Sequence, residues 1–187
     1  HRFGLNRLEG FEEYCKYGKE IGIEVIKAGE YDNRKVAVSS SAIRRLILSS
    51  DIAEANSFLG YRYSISGKVI DGYKIGRKLG YPTANISLCD KEKILPGNGV
   101  YAVYVYANGL KRGGMLNIGN RPTLENGENR SIEVNIFGFE GDLYNKRIEI
   151  EFVEFLREEE KFDSLEILIE QLNKDKEQAL NILRNNN

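Results

Sequence analysis

Pro82-Thr83-Ala84-Asn85 sets a hydroxyl and a carboxamide two residues apart. In extended backbone, residues i and i+2 project to the same face, so the two side-chain oxygens converge. Mg²⁺ accepts such neutral ligands when substrate phosphates bring the negative charge. Just upstream, Gly72, Gly76 and Gly80 punctuate a stretch that also carries Arg77 and Lys78. Such a stretch suits a flap whose backbone N–H groups and cations meet phosphate oxygens. Its glycine spacing of four matches neither a P-loop nor a dinucleotide fingerprint. Further on, Glu133 sits in Ser131-Ile-Glu-Val-Asn-Ile-Phe137, where Ile132, Val134 and Ile136 share one face and Glu133, Asn135 and Phe137 the other. A carboxylate on the polar face can take a proton from a hydroxyl nucleophile. Finally, Arg157 and Phe162 stand in a connection that runs into Asp163-Ser164. A cation and an aromatic ring beside helix-start N–H groups can hold a flat ring and a phosphate. Taken together these groups suit a nucleoside triphosphate with a hard cation. Taken singly, they equally suit a long surface hairpin, a Pro-Thr turn, a solvated strand glutamate and an acidic loop entering a helix.

The elements that would position these groups fall into two kinds. Up to Gly60 the pattern is α/β. Asn6 to Tyr17 has helical spacing of Leu8, Phe11, Tyr14 and Cys15, with Gly18 and Gly22 ending it, and Gly22–Lys27 and Lys35–Val38 alternate as short strands. Ser39-Ser40-Ser41 caps a helix over 42–48, and Asp51 with Glu54 has capping-box spacing for a second short helix. From Tyr61 the period becomes two, with strands expected at 63–71, 100–107, 111–118, 132–139 and 147–155. Turn signals separate them, and Asn108-Gly109 is a strong hairpin signal. Strands at this spacing without helices between them point to an antiparallel barrel or sandwich. The tail is helical, with capping-box spacing in Asp163-Ser-Leu-Glu166 and an apolar stripe of Leu165, Leu168, Ile169 and Leu172. Asn173-Lys-Asp175 is expected to interrupt it before a last helix over 176–183.

Bulk properties narrow the field. The chain has 187 residues, 41% hydrophobic and 29% charged, as in ordinary soluble globular domains. A net charge of −1 gives no field for nucleic acid or an acidic membrane, and no apolar run approaches a membrane span. The cysteines Cys15 and Cys89 lack metal spacing and read as free thiols of a reducing cytosol. The single histidine is His1, which removes most histidine-based catalysis. A start at His1-Arg-Phe-Gly4 rather than Met reads as part of a longer chain.

In this order, the motifs resemble the riboflavin kinase family from about residue 61 to 184. The matching pieces are Gly-Tyr-Pro-Thr-Ala-Asn at 80–85, Gly99-Val-Tyr-Ala-Val103, Asn117-Ile-Gly-Asn-Arg-Pro-Thr123, Glu133-Val134, Gly141-Asp-Leu-Tyr144, and Leu156-Arg157 with Lys161-Phe-Asp-Ser-Leu165. Arg2-Phe-Gly4 and Val38-Ser-Ser-Ser-Ala-Ile-Arg44 resemble the end of the nucleotidyltransferase half of bacterial bifunctional riboflavin kinase/FAD synthetases. The resemblance implies a mainly β protein, a six-stranded antiparallel Greek-key barrel with a C-terminal helix over 61–187. An α/β remnant of an FMN adenylyltransferase domain would precede it over 1–60. It implies ATP-dependent phosphorylation of riboflavin to FMN in the cytoplasm, with Mg²⁺, and with neither nucleic acid nor membrane as partner. Glu133 matches the family's base, Thr83 and Asn85 its metal and phosphate contacts, Gly72 and Arg77 its ATP flap, and Arg157 and Phe162 its flavin side. Ser40, Ser41 and Arg44 match a phosphate-contact segment of the adenylyltransferase half. The other reading kept open is a non-catalytic flavin- or nucleotide-binding module.

Overall fold

In the computed structural model, the described residues are 9–27, 29, 32–33, 36–72, 76, 79–120 and 130–186. Arg77 and Lys78, the opening Arg2-Phe-Gly4, and residues 121–123 of the motif that begins at Asn117 lie outside them. Two compact units divide between Val38 and Ser39.

The first unit holds helix α1 (Phe11–Glu20) and a short antiparallel pair, β1 (Asp32–Asn33) with β2 (Val36–Ala37). The Glu13 carboxylate accepts from the Gly10 backbone N–H at 2.7 Å, which sets the start of α1 at Phe11, and the helix runs past Gly18 to Glu20. Residues 23–27, expected as a strand, form no regular element.

The second unit begins with α2 (Ser40–Leu48) and α3 (Ile52–Leu59). Ser39 caps α2 by accepting from Ala42 N–H at 3.2 Å, and Asp51 caps α3 by accepting from Glu54 N–H at 3.4 Å. Ile47, Ile52 and Ala55 of these helices join the core of the barrel that follows. Asn56 adds polar anchors, donating to Phe152 O at 2.9 Å and accepting from Tyr63 N–H at 2.7 Å. The compact units therefore divide ahead of the change of period at Tyr61, because α2 and α3 bury their apolar faces on the barrel.

Six strands close the barrel: β3 (Ser64–Ile70), β4 (Ala84–Leu88), β5 (Gly99–Ala107), β6 (Leu110–Asn120), β7 (Arg130–Ile136) and β8 (Arg147–Arg157). The order round the barrel is β3-β4-β7-β6-β5-β8, all neighbours antiparallel. β4 is the strand that period alone did not resolve, since only Ala84–Leu88 pairs and Pro82 cannot donate to a ladder. Asn108 and Gly109 both take positive φ, 51° and 76°, the two-residue hairpin turn between β5 and β6.

Alternation sorts β5 between two cores. Tyr101, Val103 and Val105 point into the barrel, while Ala102 and Tyr104 pack outward with Met115, Val153, Ala179 and Leu183. The outer cluster is covered by α4 (Leu165–Asn185), a single helix capped by Ser164, which accepts from Ile167 N–H at 3.3 Å. Neither the expected Asp163 cap nor the expected break at 173–175 occurs. Asn173 and Asp175 are satisfied by partners from the barrel side: Tyr81 O–H donates to Asn173 Oδ1 at 2.6 Å, and Arg157 pairs with Asp175 at 2.7 Å. Polar residues favour breaks when only water serves them; here tertiary partners hold them in the helix.

Candidate active site

One row of the ladder organises the site. Asn85 on β4 lies opposite Glu133 on β7, Glu133 opposite Asn117 on β6, Asn117 opposite Val100 on β5, and Val100 opposite Arg157 on β8. Residues paired in a row share a face. The inward face is taken by Leu116, Ile118, Ile132 and Val134, so the row points outward, toward α4. Register shifts between β5 and β8 flank Tyr101 and Ala102, one between Val100 and Tyr101 and one between Ala102 and Val103. They leave Phe155 packed against the barrel core while Arg157 joins the outward row.

A cleft of about 370 Å³ lies on this row, and Thr83, Glu133, Arg157 and Phe162 all line it. Four positions chosen for their chemistry, spread over eighty residues of chain, thus meet at one place. Asn117, Asn135, Glu159 and Asp175 also line it. On one wall, Thr83 Oγ1 donates to Glu133 Oε2 at 3.2 Å. Behind Thr83, Asn135 Nδ2 donates to Pro82 O at 2.7 Å and fixes the entry to β4. Asn85 is buried beside Glu133. Gly72 lies directly against it, and a Cβ there would overlap the Asn85 amide, so only glycine lets the loop approach so closely. The far end of that loop is tied back, with Leu79 and Tyr81 N–H donating to Gly76 O at 3.1 and 2.8 Å.

The opposite wall is β8 and α4. Arg157 Nε donates to Asp175 Oδ1 at 2.9 Å and Nη2 to Oδ2 at 2.7 Å, a bidentate pair. Gln171 Nε2 adds a bond to Asp175 Oδ1 at 2.8 Å, and Arg157 Nη1 donates to Glu158 O at 2.9 Å. The guanidinium carbon lies 5.7 Å from the centre of the Phe162 ring. Nearby, burial first and then the Asp175 and Glu177 charges push the Tyr81 hydroxyl above the ordinary tyrosine range, so it stays a donor to Asn173.

Glu159 closes the cleft toward β5 and β6, accepting from Asn117 Nδ2 at 3.3 Å and Asn98 Nδ2 at 3.4 Å. Among the described lining residues the charges are Glu133, Glu159, Glu160 and Asp175 against Arg157, whose guanidinium is already paired. Ser40, Ser41 and Arg44 stand on the exposed face of α2 and do not line this cleft. Sequence reasoning passed over Asn117, Glu159 and Asp175. A signal existed for Asp175: Leu168, Leu172, Asp175, Ala179 and Leu183 follow one helical stripe, and a carboxylate in an apolar stripe asks for a buried partner.

The sequence profile of the riboflavin kinase family, Flavokinase, matches residues 59–183. A Bacillus subtilis protein named bifunctional riboflavin kinase/FMN adenylyltransferase is 38% identical over 200 residues, which takes in 97% of this chain and 62% of that protein. The protein of the same name from Listeria monocytogenes is 43% identical over 140 residues, 75% of this chain and 44% of its own length. The chain thus spans 62% or less of the length of these relatives. Among solved structures, a Streptococcus pneumoniae chain described as a macrolide-efflux protein superposes with a TM-score of 0.88 at 34% identity, covering 97% of this chain and 58% of that one. Among the described residues here, no helix is long and apolar enough to cross a membrane.

Proposed function

The chain belongs to the riboflavin kinase family, and on that premise we propose that it transfers the γ-phosphoryl group of ATP to the 5′-hydroxyl of riboflavin, giving FMN and ADP. The observation that carries this reading is the meeting of Thr83, Glu133, Arg157 and Phe162 in one cleft. Phosphoryl transfer asks for positioning and charge neutralisation more than for covalent chemistry, and these groups are of that kind. Glu133 accepts the hydroxyl proton as the new O–P bond forms and the bond from the γ-phosphorus to the β-phosphate oxygen of ATP breaks. The Thr83 hydroxyl, which donates to Glu133 at 3.2 Å, keeps the carboxylate aimed and is free to turn toward a phosphate when the acceptor arrives. The Phe162 ring and the flat Arg157 guanidinium give the isoalloxazine a face to lie on.

Mg²⁺ fits the donor set. Thr83 and Asn85 carry neutral hard oxygen donors, as suits a cation bound largely through substrate phosphates. When bound, the ion would neutralise phosphate charge in a cleft whose described residues carry mostly carboxylates. Gly72 admits the flap close to Asn85, and Arg77 completes the proposed nucleotide contacts. Residues 1–60 are read as the end of an FMN adenylyltransferase domain, with Ser40, Ser41 and Arg44 as phosphate contacts and FAD synthesis as a property of a longer chain. The setting is taken to be the cytoplasm.

Incubation with riboflavin, ATP and Mg²⁺ followed by chromatography tests the main reading. FMN and ADP are expected in equal amounts. Flavin binding without any FMN would favour a non-catalytic binding module instead. FAD formed from FMN by residues 1–187 alone would refute the assignment of that activity to a longer chain.

A further inference from the structure

Asp175 is a buried carboxylate, 1% exposed, on a helix that carries none of the residues assigned to the reaction above. Both its oxygens are spent on Arg157 and Gln171. Burying a charge is costly unless it is paired with good geometry, and an apolar pair would serve a plain helix–barrel contact at least as well. The geometry has a direction: two donors of the Arg157 fork are fixed by Asp175 and a third by Glu158 O, so the guanidinium plane is set, and Phe162 lies against it. Gln171 fixes the Asp175 rotamer in turn. The three charge-assisted contacts therefore run from α4 to the wall of the cleft and end at the aromatic ring.

We infer that Asp175 is a positioning residue for the acceptor: through its fork-to-fork pair with Arg157, and with Gln171 behind it, α4 sets the surface on which the flat ring of the phosphate acceptor lies. The inference rests on the riboflavin kinase reading for the identity of that acceptor, and on the described geometry for the clamp. It separates the two walls of the cleft. The Thr83–Glu133 wall lies at the entry to β4 and on β7, and among the described residues it shares no hydrogen bond with Asp175. Disturbing Asp175 should thus reach the acceptor and leave the nucleotide alone.

Asp175→Asn replaces one oxygen by an N–H₂ that faces Arg157 Nη2 and turns the fork. Its expected effect is a rise of about tenfold in KM for riboflavin, the loss of one charge-assisted hydrogen bond. kcat should change less than threefold, and the Kd for ATP with Mg²⁺ should not change. Asp175→Glu, which restores the carboxylate, should recover part of the KM. The Arg157 Nε–H resonance in ¹⁵N NMR, protected in the parent protein, should move or vanish in Asp175→Asn. A fall in kcat with KM unchanged, or an equal loss of affinity for riboflavin and ATP, would overturn the inference. So would an Asp175→Asn effect that adds fully to that of Arg157→Gln instead of overlapping with it. Where Asp175→Asn does not fold, Gln171→Leu leaves the ion pair intact and removes one bond; a KM for riboflavin unchanged in that variant would equally overturn it. A protected Arg157 Nε–H in a protein that makes no FMN would refute the kinase reading and leave the clamp standing.

Discussion

The two walls of the cleft are built to opposite specifications. On the β4–β7 wall, one hydrogen bond of 3.2 Å joins Thr83 to Glu133, and Gly72 lies against Asn85 with no side chain between them. On the β8–α4 wall, Arg157, Asp175 and Gln171 are joined by bonds of 2.7 to 3.1 Å. On the function proposed above, the first wall exchanges partners during a turnover, since a proton and phosphate oxygens arrive and leave, and the single Thr83–Glu133 bond can be given up for them. The second wall need only present a shape, and a closed ion pair keeps that shape at little cost in motion.

The sharpest way to test this division is Glu133→Gln. It should lower kcat by about 10²–10⁴-fold, the usual worth of a general base, with nucleotide affinity nearly unchanged. A rate near that of the parent protein would move the proton acceptor elsewhere. Next comes Gly72→Ala, whose Cβ would overlap the Asn85 amide. Overpacking of this kind costs about 1–3 kcal/mol, which should appear as a loss of ATP affinity of about fivefold to 150-fold with riboflavin affinity retained. Equal losses for both substrates would break the separation of the walls. Thr83→Ala and Asn85→Ala should each raise the Mg²⁺ concentration for half-maximal rate by about threefold to tenfold, the loss of one ligand contact. An unchanged Mg²⁺ dependence would reduce both residues to shaping the turn. The smallest expected effect is Tyr81→Phe, which removes the bond to Asn173 across the barrel–helix contact. It should cost about 1 kcal/mol in thermal or denaturant unfolding and leave kcat alone. A large loss of rate would mean that α4 reaches the reactive wall as well.

Much of the fold is legible in the chain because local rules and tertiary packing agree there. The alternation of Ile132, Val134 and Ile136 against Glu133 and Asn135 is obeyed, and the Asn108-Gly109 turn forms as its backbone demands. The Ser39 and Asp51 caps also hold. Sequence reading failed where the deciding partner is distant. β4 is short and follows a proline, so its strand character comes from its neighbours β3 and β7. The supposed break at Asn173–Asp175 is the point where the helix is pinned to the barrel. Asn117 began a matching motif but was given no role, and Glu159 stood in an acidic run, because what brings both to the cleft is the register of β6 against β7 and the path of the connection after Arg157.

The sequence by itself pointed to the chemistry and the elements: Thr83, Asn85, Glu133, Arg157 and Phe162 were singled out by residue type, spacing and resemblance, and period, caps and turns set the strands and helices around them. Only the tertiary structure decided that Thr83, Glu133, Arg157 and Phe162 line one cleft and how its walls are divided. The barrel closes between strands distant in the chain, and closure sets the row from Asn85 through Glu133 to Arg157. A strand's period says which residues share its face, but not which strand lies beside it or which face a helix will cover. Those are settled when the whole apolar surface is buried at once, and that is also when Asp175 meets Arg157.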